Sequence, residues 1–263
     1  MTETALITGC TSGIGKAFAH LLAKEGYNLI LVSRNAEKLE EQAKSLTHDY
    51  GIRTHPIACD LEKAGAADQV YQRTQDLELQ VQLLINNAGF NEFGSFLETD
   101  PAKELDMMHL HMVFTTQMMK LFLPLMAAYR SGRILNVGST GSYIACPYDA
   151  VYAATKAYIL SLSKGIRAEL KGTGVNVTVL CPGSTKTEFA GKAGMEDTLL
   201  FKRLVMNPER VAQIGYRAMM KGKESVIAGL YNKLLVFSSY VLPNAFVNFL
   251  SKKMLNANGK SDF

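Results

Sequence analysis

Tyr152 and Lys156 stand four residues apart in the run YAATK. On a helix that spacing sets both side chains on one face. A phenol ionises at about pH 10, too high for efficient acid–base work at neutrality. An ammonium beside it favours the phenolate and lowers that value. Such a pair can pass a proton to or from a carbonyl oxygen while a hydride moves at the carbon. Ser139, 13 residues before Tyr152, follows an apolar run and can hydrogen-bond the same oxygen. It can equally serve as a turn or N-cap residue. Y-x-x-x-K alone is common on helix surfaces, so the pair needs a cofactor site and a frame.

A second group of residues can hold a pyrophosphate. An apolar run over residues 5–8 leads into TGCTSGIG at 8–15, and an amphipathic stretch follows. Gly9, Gly13 and Gly15 read G-x-x-x-G-x-G rather than the commoner G-x-G-x-x-G, because Phe18 occupies the place of its third glycine. Glycine allows the tight strand-to-helix turn and lets the anion approach the backbone. Free N–H groups at the helix N-terminus then hold it. Gly9, Thr11, Ser12, Gly13, Ile14 and Gly15 are the cofactor-binding candidates of this loop. The next apolar run ends in Ser33-Arg34 with no acidic residue for a ribose 2′-hydroxyl. Arg34 can pair instead with a 2′-phosphate, so NADP is expected over NAD. A solvated surface arginine is the alternative reading.

These groups must be carried on a frame, and the hydropathy pattern supplies one. Short, nearly all-apolar runs lie at 5–8, 28–32, 55–58, 83–85, 133–137 and 175–180. They read as strands covered on both faces. Helix-like stretches at 14–24, 36–49, 64–77, 101–129 and 152–171 alternate with them. That alternation predicts βαβ crossovers and a doubly wound α/β fold. A seventh strand is expected within 225–229.

Composition narrows the function classes. The chain has 263 residues, 48% of them hydrophobic and 20% charged, too apolar for intrinsic disorder. Its 21 Gly and 7 Pro follow no period, which excludes a collagen-like chain. The 28 basic and 24 acidic residues leave +4, without the dense basic cluster of a nucleic-acid binder. Cys10, Cys59, Cys146 and Cys181 have no paired spacing, so no metal site is expected. The opening MTETALITGC has neither a basic n-region nor a long apolar h-region. A reducing cytoplasm with free thiols is the expected setting.

Taken jointly, the motifs resemble those of the short-chain dehydrogenase/reductase family, in its ketoacyl reductase and hydroxysteroid dehydrogenase branch. The matching pieces are TGCTSGIG, Asp60-Leu61, NNAG at 86–89, Ser139, YAATK, and Pro182-Gly183 with the later Thr187. The resemblance implies one Rossmann domain over 1–263 with about seven parallel strands, order 3-2-1-4-5-6-7, and helices on both faces. It implies that Tyr152 is the acid/base and that Lys156 lowers its pKa and binds the nicotinamide ribose. Ser139 would orient the substrate oxygen. Asp60 and Leu61 would lie at the adenine, and Asn87, Ala88 and Gly89 would line the cofactor. Pro182, Gly183, Thr185 and Thr187 would lie by the nicotinamide amide. A ketone or secondary alcohol is the implied substrate, and a homodimer or homotetramer the implied assembly. The alternative is a non-catalytic NADP-binding redox sensor or scaffold.

One position departs from the family. Counting back 15 residues from Met126 in LFLPLM lands on His111, where many members carry an Asn whose backbone carbonyl serves a proton relay. The backbone role can survive the change, or His111 can join the relay itself, since imidazole titrates near neutrality. Packing alone is the third reading. Residues 184–224 are expected to hold short helices and a mobile substrate loop. Phe189, Met195, Leu199, Leu200, Phe201 and Leu204 there could form an apolar lid for acyl- or steroid-like ketones. The extension 230–257 contains an uncharged stretch, 234–251, flanked by Lys233 and Lys252-Lys253. Pro243 splits it into two helices too short to span a membrane. Subunit packing is the first use expected of it, and peripheral membrane contact the second.

Overall fold

Seven short segments pair edge to edge in the computed structural model, which describes residues 2–203 and 205–255. They are β1 (Thr4–Thr8), β2 (Asn28–Ser33), β3 (Thr54–Ala58), β4 (Val81–Asn86), β5 (Gly132–Val137), β6 (Val175–Cys181) and β7 (Ser225–Ile227). All neighbours are parallel, in the order β3-β2-β1-β4-β5-β6-β7. The expected strand order is therefore observed. The apolar runs follow from it, because helices cover both faces of the sheet. Along β1, Ala5 and Ile7 join one core while Leu6 joins the other.

One face carries α1 (Gly13–Lys24), α2 (Ala36–Tyr50) and α9 (Pro208–Met220). Phe18 and Leu22 of α1 meet Val211, Ala212 and Met219 of α9 in that core. The other face carries α3 (Ala66–Asp76), α5 (Thr115–Ala128) and α6 (Ala150–Glu169). The stretch read as one helix over 101–129 is α4 (Pro101–Met108), a π-helical segment (His109–Phe114) and then α5. A π segment widens the turn by one residue, a distortion frequent at functional sites.

The stretch 184–224 divides in two. Its first half holds α7 (Glu188–Lys192) and α8 (Leu199–Arg203) beside the cleft. Its second half is α9, longer than the short helices expected there, and its apolar stripe is buried in the core against α1. The C-terminal stretch forms α10 (Leu230–Val241) and α11 (Asn244–Leu255), parted at Pro243 as expected. Leu255 of α11 packs with Ala190 and Met195 beneath the cleft. Leu204 and residues 256–257, part of the expected lid and extension, lie outside the described residues. No described helix is long and apolar enough to cross a membrane.

Candidate active site

The carboxyl ends of β1, β2, β4, β5 and β6 open into one cavity of about 530 Å³. Ligands of open α/β sheets sit there, where the strand order reverses. Gly9, Thr11, Ser12, Gly13, Ile14, Arg34, Asp60, Leu61, Asn87, Ala88, Gly89, Ser139, Tyr152, Lys156, Pro182, Gly183, Thr185 and Thr187 all line it. Two expected site residues stand behind the lining, Gly15 and His111.

Gly9 and Gly13 adopt φ of 65° and 52°, a conformation costly for any side chain. A Cβ on Gly9 would come within 2.8 Å of the Ala88 Cα. Gly15 holds the turn from behind, since a Cβ there would overlap the Gly9 carbonyl. Asn87 closes the loop: its Nδ2 donates to the carbonyls of Thr8 and Gly9, 3.0 Å each. Thr8 Oγ1 in turn accepts from the amides of Asn87 and Ala88 at 3.0 and 3.1 Å. Ser12 makes no side-chain cap on α1 and the first turn carries no acid. The opening N–H groups of α1 are thus left for an anion, and these residues fit a dinucleotide pyrophosphate.

At the adenosine end Arg34 is largely exposed and pairs with Glu62 at 3.1 Å. Lys38, one turn into α2, lines the same wall, as do Ser33 and Asn35. Asn35 caps α2 by accepting from the Lys38 amide at 2.8 Å. Lys38 and Glu62 were missed in the sequence. The signal for Lys38 was a second cation four residues after Arg34.

At the other end Tyr152, Ser139 and Lys156 come together. Ser139 caps the 3-10 turn Thr140–Ser142, its Oγ accepting from the Gly141 amide at 3.1 Å. It also lines the cleft together with Tyr152. Ser139 is thus both a cap and a site residue. Ser142, also missed, locks the turn to α6 by donating to the Lys156 carbonyl at 2.8 Å. Lys156 Nζ donates to the Val137 carbonyl at 3.2 Å and lies 5.4 Å from the Tyr152 ring centroid.

The electrostatics differ from the sequence expectation. Burial pushes the Tyr152 phenol up, the charge of Asp149 adds to the rise, and the nearby Ser139 hydroxyl works against it. The Lys156 ammonium is held between the Val137 carbonyl and the ring, and burial outweighs its pull on the phenol. Burial brings Lys156 itself down from 10.5 to about 8.

His111 lies inside the π segment, 1% exposed, its ring 5.7 Å from that of Tyr152. Its Nδ1 is 2.9 Å from Thr155 Oγ1. Thr155 spends its only hydroxyl proton on the Tyr152 carbonyl at 2.7 Å, so it accepts from His111. The proton therefore sits on Nδ1, and Nε2 is a bare, buried acceptor without a partner. Burial, aided by the Lys156 charge, holds the imidazole well below its ordinary range. Titration near neutrality, the reason for placing the side chain in a relay, is removed by that burial.

Phe189, Met195, Leu200 and Phe201 line the cavity beside Tyr152, whereas Leu199 is 44% exposed and does not. Two polar residues escaped the sequence reading at this end, Asn91 and Asp149. Asp149 had a signal, an acid placed three residues before Tyr152. The four cysteines are unpaired. No group of three metal-ligating side chains gathers among the described residues.

A family profile described as short chain dehydrogenase matches residues 3–197. A 7beta-hydroxysteroid dehydrogenase of Collinsella aerofaciens is 31% identical over 234 residues, 88% of each chain. Very-long-chain 3-oxoacyl-CoA reductase-A of Danio rerio is 33% identical over 182 residues, 68% of this chain and 56% of that one. A short-chain dehydrogenase from Sphingobium yanoikuyae, solved with NADPH, superposes with a TM-score of 0.81 at 25% identity. That match covers 99% of this chain and 98% of the other.

Proposed function

The chain belongs to the short-chain dehydrogenase/reductase family of oxidoreductases, and on that premise we propose that it reduces an apolar ketone with NADPH. The observation that carries this reading is that Ser139, Tyr152 and Lys156 line the same cleft as the glycine turn.

Bound NADPH supplies a hydride to the carbonyl carbon. Gly9, Gly13 and the first turn of α1 hold its pyrophosphate, and Arg34 with Lys38 holds the 2′-phosphate. Arg34, now paired with Glu62, would be available to that phosphate because the pair is largely exposed on the arginine side. Asp60 and Leu61 flank the adenine. Asn87, Ala88, Gly89, Pro182, Gly183, Thr185 and Thr187 wall the nicotinamide half.

Ser139 holds the substrate oxygen beside Tyr152. The raised phenol pKa keeps Tyr152 neutral at pH 7, the form that gives a proton to an oxygen gaining negative charge. Lys156, still mostly cationic at neutrality, stabilises the phenolate that remains. His111 holds the widened helix behind Tyr152. The apolar wall of Phe189, Met195, Leu200 and Phe201 suits a steroid- or acyl-like frame. The names of the Collinsella and Danio relatives point to the same substrate range. Leu234, Phe237, Tyr240, Phe246 and Phe249, exposed along α10 and α11, form the contact between subunits of a homo-oligomer in this reading.

Fluorescence titration with NADPH and NADH tests the cofactor, and the absence of Trp leaves nicotinamide emission undisturbed. NADPH is expected to bind more tightly, and Arg34→Ala to erode the difference. A ketone panel with wild type beside Tyr152→Phe tests catalysis. NADPH binding without any Tyr152-dependent turnover leaves a redox sensor or scaffold instead.

A further inference from the structure

Asp149 stands immediately before α6, three residues ahead of Tyr152, on the wall of the cleft. It is 8% exposed. A carboxyl at this place in a helix commonly caps the first turn, but Asp149 makes no such bond. Asn91 is its polar neighbour on the cleft wall. Oδ1 of Asp149 is buried without a partner, and so is Oδ1 of Asn91. The Asn91 amide nitrogen is engaged elsewhere, 3.3 Å from the sulfur of Met195.

The surroundings sharpen the mismatch. Phe189, Met195, Leu200 and Phe201 make the neighbouring wall apolar. A carboxyl buried among such side chains loses its hydration, and only paired oxygens offset that loss. Burial accordingly raises its pKa from 3.8 to about 7, with neighbouring Asn91 opposing the rise. With the carboxyl ionised, both orphaned atoms are acceptors, and what both lack is a donor. Buried unpaired groups beside a reactive residue in a cleft are where a ligand completes the bonding.

We propose that Asp149 and Asn91 form an acceptor subsite for a hydrogen-bond donor, a hydroxyl or amine, carried by the substrate's otherwise apolar frame near its carbonyl. The inference rests on the catalytic reading above and names the substrate class more closely. The donor group is bound and not transformed; hydride and proton still go to the carbonyl carbon and oxygen. A site built to satisfy a substrate hydroxyl rejects the analogue that lacks it, because its own polar groups are then left unpaired.

The test compares NADPH-linked reduction of the hydroxycyclohexanone isomers with that of the matching methylcyclohexanones. The methyl group has the size of the hydroxyl but cannot donate. Wild type is expected to favour at least one hydroxy isomer over its methyl counterpart by about tenfold or more in kcat/KM. Asp149→Leu is expected to collapse or invert that ratio, and Asn91→Ala to reduce it. Asp149→Asn keeps an acceptor oxygen and the side chain's shape, so it retains part of the preference; it also decides the matter if Asp149→Leu does not fold. Equal reduction of both series by wild type, or a preference that survives Asp149→Leu, overturns this inference and leaves the catalytic reading intact. Binding of NADPH with no reduction of any ketone overturns both.

Discussion

Tyr152 and Lys156 share one face of α6, and burial acts on the two in opposite directions. It raises the phenol and lowers the ammonium, because each loses hydration of its charged form. Tyr152→Phe removes the proton donor and leaves the ring that packs beside His111 and Phe189. We expect kcat to fall by roughly 10²–10⁴ while the NADPH titration still gives a binding curve. His111 is expected to leave no mark as a titrating group. The pH profile of kcat/KM should show no acidic limb that disappears in His111→Asn, since the imidazole stays neutral through that range. A limb that vanishes with the substitution would make His111 a proton carrier. Asp149 gives a prediction with a definite sign. Its folded pKa, about 7, lies above the unfolded value of 3.8. The folded chain therefore keeps a proton that the unfolded chain has released, and this contribution to stability is lost as pH rises from about 4 to about 7. Asp149→Asn abolishes that loss. In urea unfolding without cofactor, the variant should gain on wild type across that window, by about 2–4 kcal/mol at pH 8. No gain would mean that the carboxyl finds a partner in the folded chain. The positions of Tyr152, Lys156 and His111 were legible from counting along the chain. Their protonation states were not, because Thr155, Val137 and Asp149 act on them only once α6 has packed against β5 and the π segment.

The glycine turn and the start of α2 act as units, and each answers to a different physical limit. Gly15 never touches the cleft, yet it is the least replaceable of the three loop glycines. Its missing side chain lets α1 start against the Gly9 carbonyl and the Asn87 amide. Gly15→Ala should cost at least about 3 kcal/mol in urea unfolding, or prevent folding, because backbone rather than a movable side chain fills the space. Soluble protein of wild-type stability would contradict this packing. At the start of α2, Arg34 and Lys38 offer two cations to one phosphate. The double variant Arg34→Ala/Lys38→Ala should weaken NADPH more than either single change and leave NADH nearly unaffected, as read by nicotinamide fluorescence. The G-x-x-x-G-x-G spacing announced the turn. It did not say that Gly15 lies behind the cleft, since that depends on where β4 delivers Asn87.

At the scale of the molecule, the cleft lies where the sheet's strand order reverses, and α10 and α11 sit beside it. Leu255 packs with Ala190 and Met195, so the C-terminal helices brace the substrate end of the cavity. Their exposed Phe237 and Phe249 are 64% and 65% accessible. Phe237→Glu/Phe249→Glu should lower the mass measured by light scattering if these side chains join subunits. If wild type is already monomeric and the variant instead loses binding to anionic vesicles, the face meets membranes. Residues close in sequence determined what could be read without coordinates. Strand–helix alternation, the glycine turn and Y-x-x-x-K each depend on spacing within one or two elements, and spacing is a property of the chain itself. Even the splitting of the C-terminal stretch at Pro243 is of this kind. The assignment of α9 to the core, the neutrality of His111 and the unpaired oxygens of Asp149 and Asn91 were decided only by the tertiary structure. Each is set by burial, and burial depends on segments that lie far apart in sequence and meet only when the sheet and its two helical layers close.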